Sequence, residues 1–335
     1  MSKIYYRPIA QTDAAWSRTA LPLAGGWCWF DRLEIMERGR RGERIAVSEA
    51  PEEVIEALSS SRTEVAGVSM AKPRLMGILN VTPDSFSDGG KFAEKDAALV
   101  HATQMAIDGA DFLDIGGEST RPGANFVPSE EEMHRVGPVI RALSAGGLAT
   151  PLSIDTRKSQ VADVALKDGA AMLNDVSAGT YDENMFELAK NSRAPLCLMH
   201  AQGDPKTMQE NPTYDDVVLD VYDFLAARIK AAMEAGVNAS QLVIDPGLGF
   251  GKTQEHNLAI VKGLSLFHGL GCPILMGASR KRFIGTIGQE DAAELRGPGS
   301  MAVGLAAIAQ GVQITRVHDL KETKQALRLW RAVTG

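Results

Sequence analysis

Eight short apolar runs, separated by stretches of helical spacing, constrain this chain more than any other feature. They read RLMGIL, DFLDIGG, PLSIDT, AMLNDV, PLCLMH, LVIDPG, PILMGASR and VQITRVHD, all beyond Pro73. Between them lie segments such as EKDAALVHATQMAIDGA, RKSQVADVALKDGA and TYDDVVLDVYDFLAARIKAAMEAG, with apolar residues three and four apart and a glycine near the end. Apolar runs without polar alternation suit strands covered on both faces, which means parallel pairing through helical crossovers. Eight such units predict an α/β fold, a (β/α)8 TIM barrel spanning residues 71–335. An open doubly wound sheet is the runner-up, but its G-x-G-x-x-G fingerprint does not follow the first run, and GLGFGK at 247–252 lacks P-loop spacing.

Residues 1–70 have another texture and read as an N-terminal extension. Trp16, Trp27 and Trp29 lie there, three of the chain's four tryptophans, with the charged stretch ERGRRGER and a helical pattern near EAPEEVIEALSSS. Their expected role is structural, packed beside the barrel.

At 335 residues and 44% hydrophobic composition the chain can bury a large core. A net charge of −7 excludes an extended basic face for nucleic acid and favours small-molecule chemistry. Three scattered cysteines, Cys28, Cys197 and Cys272, offer neither a disulfide framework nor a Cys-x-x-Cys metal site. No apolar run approaches membrane-span length and the first residues lack a signal-peptide core, so a cytoplasmic protein is expected.

In a barrel the reacting groups sit where the strands end, so the residues closing each run carry the functional reading. They are Asn80, Asp114, Asp155, Asn174 with Asp175, His200, Asp245, Ser279 with Arg280 and Lys281, and Arg316 with His318. The connections after runs one, two and five, roughly 80–94, 116–128 and 200–214, are the longest and read as binding loops. Asp155, Asn174 and Asp245 should converge on one mouth, and buried carboxylates need N–H donors such as an aminopyrimidinone edge. Lys281 offers the complementary donor. Arg280, Lys281, Arg316 and His318, with Thr120 and Arg121, make a cationic group suited to phosphate. Asn80, Asp84 and Asp88 are hard oxygen ligands, which fits magnesium better than zinc. His101, His134, His256 and His268 fall in helical stretches and are expected at the surface, Cys197 is expected in the core, and no nucleophile motif occurs.

Taken in order, GILNVTPDSFSDGG, DIGGESTRPGA, SIDT, LND, LMH, DPGLGFGK, GASRKRFIG and RVHD resemble the dihydropteroate synthases over residues 73–335. The resemblance implies a barrel enzyme that joins (7,8-dihydropterin-6-yl)methyl diphosphate to 4-aminobenzoate and releases diphosphate. It implies that Asp155, Asn174, Asp245 and Lys281 hold the pterin, with Met199 and Phe250 along its apolar faces. Asn80 would ligate Mg2+, and Thr120, Arg316 and His318 would contact the diphosphate. Loops containing Asp84, Ser85, Phe86, Arg121 and Pro122 would close over the aminobenzoate, with the backbone or side chain of Arg282 at its carboxylate. Asp114, Gly277 and Val317 complete the implied substrate-binding set, and a homodimer is implied as well. A methyltetrahydrofolate-dependent methyltransferase would not need Arg316 and His318, and a pterin-binding paralogue without catalysis would show an eroded first loop. Neither departure is visible here.

Overall fold

In a computed structural model, described for residues 3–40, 42–81, 90–119, 124–203 and 207–334, each of the eight runs is a strand. They are β1 (Arg74–Asn80), β2 (Phe112–Gly116), β3 (Leu152–Asp155), β4 (Met172–Asp175), β5 (Leu196–Met199), β6 (Leu242–Asp245), β7 (Leu275–Met276) and β8 (Ile314–Val317). All pair in parallel in the order β6-β5-β4-β3-β2-β1-β8-β7, and a parallel bridge between Ile244 and Ile274 joins the last strand to the first. The Ile244 N–H donates to Pro273 O at 3.0 Å across that seam, so the sheet closes on itself. Around it lie α1 (Gly90–Ile107), α2 (Ser129–Ala145), α3 (Ser159–Asp168), α4 (Asn184–Ser192), α5 (Val217–Glu234), α6 (Gln254–Lys262), α7 (Arg282–Gly288), α8 (Gly297–Ile308) and α9 (Leu320–Thr334).

Strand side chains alternate between two cores. Leu75, Leu79, Leu113, Ile115, Leu152, Ile154, Leu173, Leu196, Leu198, Leu242, Ile244 and Val317 point outward and pack under the helices. The other parity points inward, where Met76, Phe112, Met172, Cys197, Val243, Leu275 and Ile314 form one buried layer. Cys197 is thus core, as its strand position predicts. Two residues further along the same strands stand Ile78, Asp114, Asn174, Met199, Asp245, Gly277 and Arg316. Polar chemistry therefore begins one step above a layer that is apolar except for the buried Ser153 of β3, which precedes Asp155 by two residues.

Val65 and Met70, 2% and 1% exposed, join that apolar layer from below, so the segment leading into β1 fills the closed end of the barrel. The residues before it fold as a unit with its own core of Leu23, Cys28, Phe30, Leu33 and Leu58. Strands Tyr5–Pro8, Arg32–Met36 and Glu43–Ala46 make an antiparallel sheet there, followed by the helix Glu52–Ser59. It docks on α5 through Lys3, Tyr5 and Arg38, which share Asp220 and Asp223. Ser265 Oγ donates to Pro8 O at 2.8 Å, and Trp27 Nε1 donates to Ile308 O at 2.8 Å. Arg62, only 8% exposed, donates to the carbonyls of Ala57, Ser60 and His268. His268 is itself fully buried under this unit, not at the surface as its helical spacing predicts. The extension supplies the cover that the barrel alone lacks.

Candidate active site

The inward row after the apolar layer builds the mouth of the barrel. Arg316 reaches across from β8: its Nε donates to Asp114 Oδ2 at 2.6 Å and its Nη2 to Asp155 Oδ2 at 2.7 Å. Asn174 Nδ2 donates to the same Asp114 oxygen at 3.0 Å. Asp114 and Asp155 therefore share one guanidinium whose partners lie about 200 and 160 positions away in sequence. Burial, opposed by Arg316 and reinforced by Asp114, pushes the Asp155 carboxyl up to about 7. Each carboxylate keeps one buried oxygen, Asp114 Oδ1 and Asp155 Oδ1, without a hydrogen-bond partner among the described residues. Such atoms are acceptors held ready for N–H groups brought by a ligand.

Asp245 ends β6 beside them, 5% exposed, with burial raising its pKa. One of its oxygens accepts from the Gly247 N–H at 2.7 Å. The turn that follows carries three glycines in the left-handed region, Gly247, Gly249 and Gly251. A Cβ on Gly247 would stand 1.8 Å from His200 O, so the turn can lie against the loop after β5 only with glycine there. Phe250, half-buried on this turn, has its ring 4.2 Å from Lys281 Nζ, and Lys281 also donates to Leu248 O. A cation over an aromatic face beside a buried carboxylate offers one apolar wall, one positive donor and one acceptor. Met199, 4% exposed, pairs in register with Asp245 on the neighbouring strand and adds an apolar side chain beside it.

Gly277 leaves room beside Arg316: an added Cβ would meet that side chain at 3.8 Å. His318 Nδ1 lies 2.9 Å from Ser279 Oγ, and the His318 N–H donates to the same oxygen at 3.2 Å. Arg280 is withdrawn from the phosphate-binding group expected from sequence, because Asp319 accepts from both its Nε (3.1 Å) and Nη2 (2.5 Å). Val317 belongs to the outward parity and packs with the helices, so its side chain does not face the mouth. Arg282 is exposed at the start of α7. Phe86, Thr120, Arg121 and Pro122, together with Asp84, Ser85 and Asp88, lie outside the described residues.

Asn80, half-buried, closes β1 opposite Gly116 at the rim. Among the described residues no group of three or more His, Cys, Asp or Glu side chains could hold a metal. One amide oxygen at a rim fits an ion carried in with substrate phosphate and completed by water, as magnesium is, and does not fit a protein-enclosed metal.

Residues 76–318 match the pterin binding enzyme family. The dihydropteroate synthase of Neisseria meningitidis serogroup C is 46% identical over 270 residues, which cover 79% of this chain and 94% of that protein. The chain belongs to the dihydropteroate synthase family. The Escherichia coli K12 dihydropteroate synthase is 44% identical over 79% of this chain and 93% of its own length. Among solved structures, the Xanthomonas albilineans dihydropteroate synthase with 4-aminobenzoic acid has a TM-score of 0.77 and 46% identity, covering 82% of this chain and 98% of its own. A second structure of that enzyme, in complex with 7,8-dihydropteroate, has a TM-score of 0.74 at 43% identity, with 82% and 99% covered. Residues 1–75 precede the family match.

Sequence reasoning missed Lys252 and gave His200 no role. Both are buried, 3% and 5% exposed, with Lys252 Nζ 2.8 Å from His200 Nδ1. The available signal was a lysine closing a glycine-rich turn, a place where a long side chain can fold back beneath the backbone.

Proposed function

We propose that this dihydropteroate synthase family member condenses (7,8-dihydropterin-6-yl)methyl diphosphate with 4-aminobenzoate in the mouth of its barrel, using the residues above. The observation that carries the reading is the set of buried acceptors on the inward row, above all the unpartnered oxygens of Asp114 and Asp155 beside Asn174 and Asp245. A pterin's aminopyrimidinone edge presents adjacent N–H donors, which suits such acceptors and little else. Asp245 would take the charged hydrogen bond, Lys281 would donate to a ring acceptor, and Phe250 and Met199 would sandwich the ring.

The condensation forms a C–N bond at the pterin methylene and breaks its C–O bond to diphosphate. A neutral aniline nitrogen needs no activating base, so the chain's task is to place it in line and stabilise the departing charge. Arg316 and His318, at the end of β8, would face the diphosphate, while the Arg316 guanidinium also holds Asp114 and Asp155. Asn80 would hold Mg2+, which when bound would neutralise the leaving diphosphate. Thr120, Arg121, Pro122 and Phe86 would line the aminobenzoate side, with the backbone N–H groups at the start of α7 near Arg282 facing its carboxylate.

A cytoplasmic location fits three buried free thiols and the absence, among the described residues, of any helix long and apolar enough to cross a membrane. A homodimer is favoured by large apolar side chains exposed on the last helical segments, Ile287, Leu295, Leu329 and Val333. The decisive experiment follows diphosphate release and dihydropteroate by chromatography, from both substrates with and without magnesium. Equimolar, magnesium-dependent products are expected; pterin binding without product would overturn the assignment.

A further inference from the structure

The glycine-rich turn after β6 is held from underneath by the buried amino group of Lys252, and nothing in the chemistry above uses it. Lys252 Nζ lies 2.8 Å from Gly247 O, 3.1 Å from Phe250 O, 3.4 Å from His200 O and 2.8 Å from His200 Nδ1. Three carbonyls of two different loops thus point at one spot. That convergence is possible because Gly247, Gly249 and Gly251 take positive φ values of 68°, 79° and 62°. Without a donor at the centre those carbonyls would face one another at close range, with Gly247 O keeping only the long bond from the Phe250 N–H at 3.3 Å. The same turn presents Phe250 to Lys281 and gives Leu248 O to the Lys281 ammonium. It also donates the Gly247 N–H to Asp245.

We infer that Lys252, together with His200, is a positioning residue that fixes the shape of residues 247–251 and so sets the grip of Phe250, Lys281 and Asp245 on the pterin. This rests on the pterin reading of the site. Lys252 does not touch the ligand; it determines where three groups that do so are placed. His200 contributes because burial and the neighbouring Lys252 push its pKa down to about 2, so the ring stays neutral and Nδ1 can accept from the Lys252 amino group. Phe224 packs edge-on to that ring at 4.8 Å, which holds its orientation. Burial also drives the Lys252 pKa well below the ordinary lysine range, opposed by Asp245.

The test is Lys252→Met, which keeps length and volume and removes the donors. Calorimetry with 6-hydroxymethyl-7,8-dihydropterin should show binding weakened about 10- to 100-fold, the range seen when outer-shell supports are removed. The KM for 4-aminobenzoate should stay within about threefold, because that substrate sits on other loops. Unchanged pterin binding in a folded variant overturns the inference, as does an equal loss for both substrates. If Lys252→Met does not fold, Lys252→Arg and His200→Gln replace it, each expected to lose about three- to tenfold in pterin affinity from one impaired hydrogen bond. Wild-type affinity in both would be equally fatal. A wild-type protein that binds the pterin alcohol yet forms no dihydropteroate would defeat the proposed reaction and leave this test intact.

Discussion

Arg316→Met separates what holds the two inward carboxylates from what merely surrounds them. In the wild type one guanidinium bonds Asp114, fully buried, and Asp155, whose carboxyl is pushed up to about 7 mainly by burial. A carboxyl raised from 3.8 in the unfolded chain to about 7 in the fold gives stability that is complete at low pH. That stability is lost as the pH climbs through about 7, and above this point the group takes nothing more from the wild type. Arg316 is the principal influence pulling this pKa down, so its removal moves the titration upward and the loss continues. At about 1.4 kcal/mol per pH unit, the variant forfeits about a further 2 kcal/mol between pH 7 and 8.5. Urea unfolding of the ligand-free proteins at pH 6, 7 and 8.5 measures this directly. The wild-type-minus-variant gap should widen by that amount from pH 7 to 8.5 and stay nearly constant below 6.5. A gap independent of pH would refute the argument, because Asp155 would then titrate alike with and without Arg316.

Asp245→Ala should abolish calorimetric binding of the pterin alcohol while leaving the fold intact, since it removes a buried charge along with its acceptor; retained affinity would exclude Asp245 from the pterin. Gly247→Ala should lower stability by about 2–4 kcal/mol in urea and reduce pterin affinity, because its Cβ would stand 1.8 Å from His200 O in a left-handed backbone. Arg62→Met should cost about 3 kcal/mol in chemical unfolding by removing three hydrogen bonds to the carbonyls of Ala57, Ser60 and His268, the last of which keeps the Gly271 N–H at 3.1 Å, with kcat unchanged at 25 °C. A measured loss below about 1 kcal/mol would mean the extension is held elsewhere.

All eight strands were legible because continuous apolar runs and glycine-ended helical stretches are local signals. So was the inward row: once the strands are placed, period-two alternation alone assigns Asp114, Asn174, Asp245 and Arg316 to one face. The partnerships were not legible. Sequence suggested that the carboxylates would wait for a ligand's N–H groups, and half of that capacity is instead taken by Arg316 and Asn174, which only barrel closure brings near. Arg316 is therefore tied to the proposed pterin end as well as to the diphosphate, so a pure phosphate role is too narrow. Arg280 was misread because Asp319 lies 39 residues further along the chain, and only the pairing of β7 with β8 brings the two side by side. His268 looked like a surface helix residue because nothing local announces that a distant antiparallel sheet will cover it. Lys252 was passed over, since its burial depends on a fold-back that glycine permits and no periodicity records.

The strict alternation of the strands makes the catalytic surface sensitive to arithmetic. Deleting one residue from the middle of β2 or β8 would send Asp114 or Arg316 into the oily sleeve beneath the helices and bring Leu113 or Val317 into the mouth. Deleting two would preserve orientation yet sink the charged ring into the apolar floor formed by Phe112, Ile314 and their neighbours. Length changes are thus confined to the loops, where substrate preference can be edited freely while the strands behave as fixed-length rulers. Lineages descended from this scaffold can diversify by splicing at the rim, never by stretching a stave.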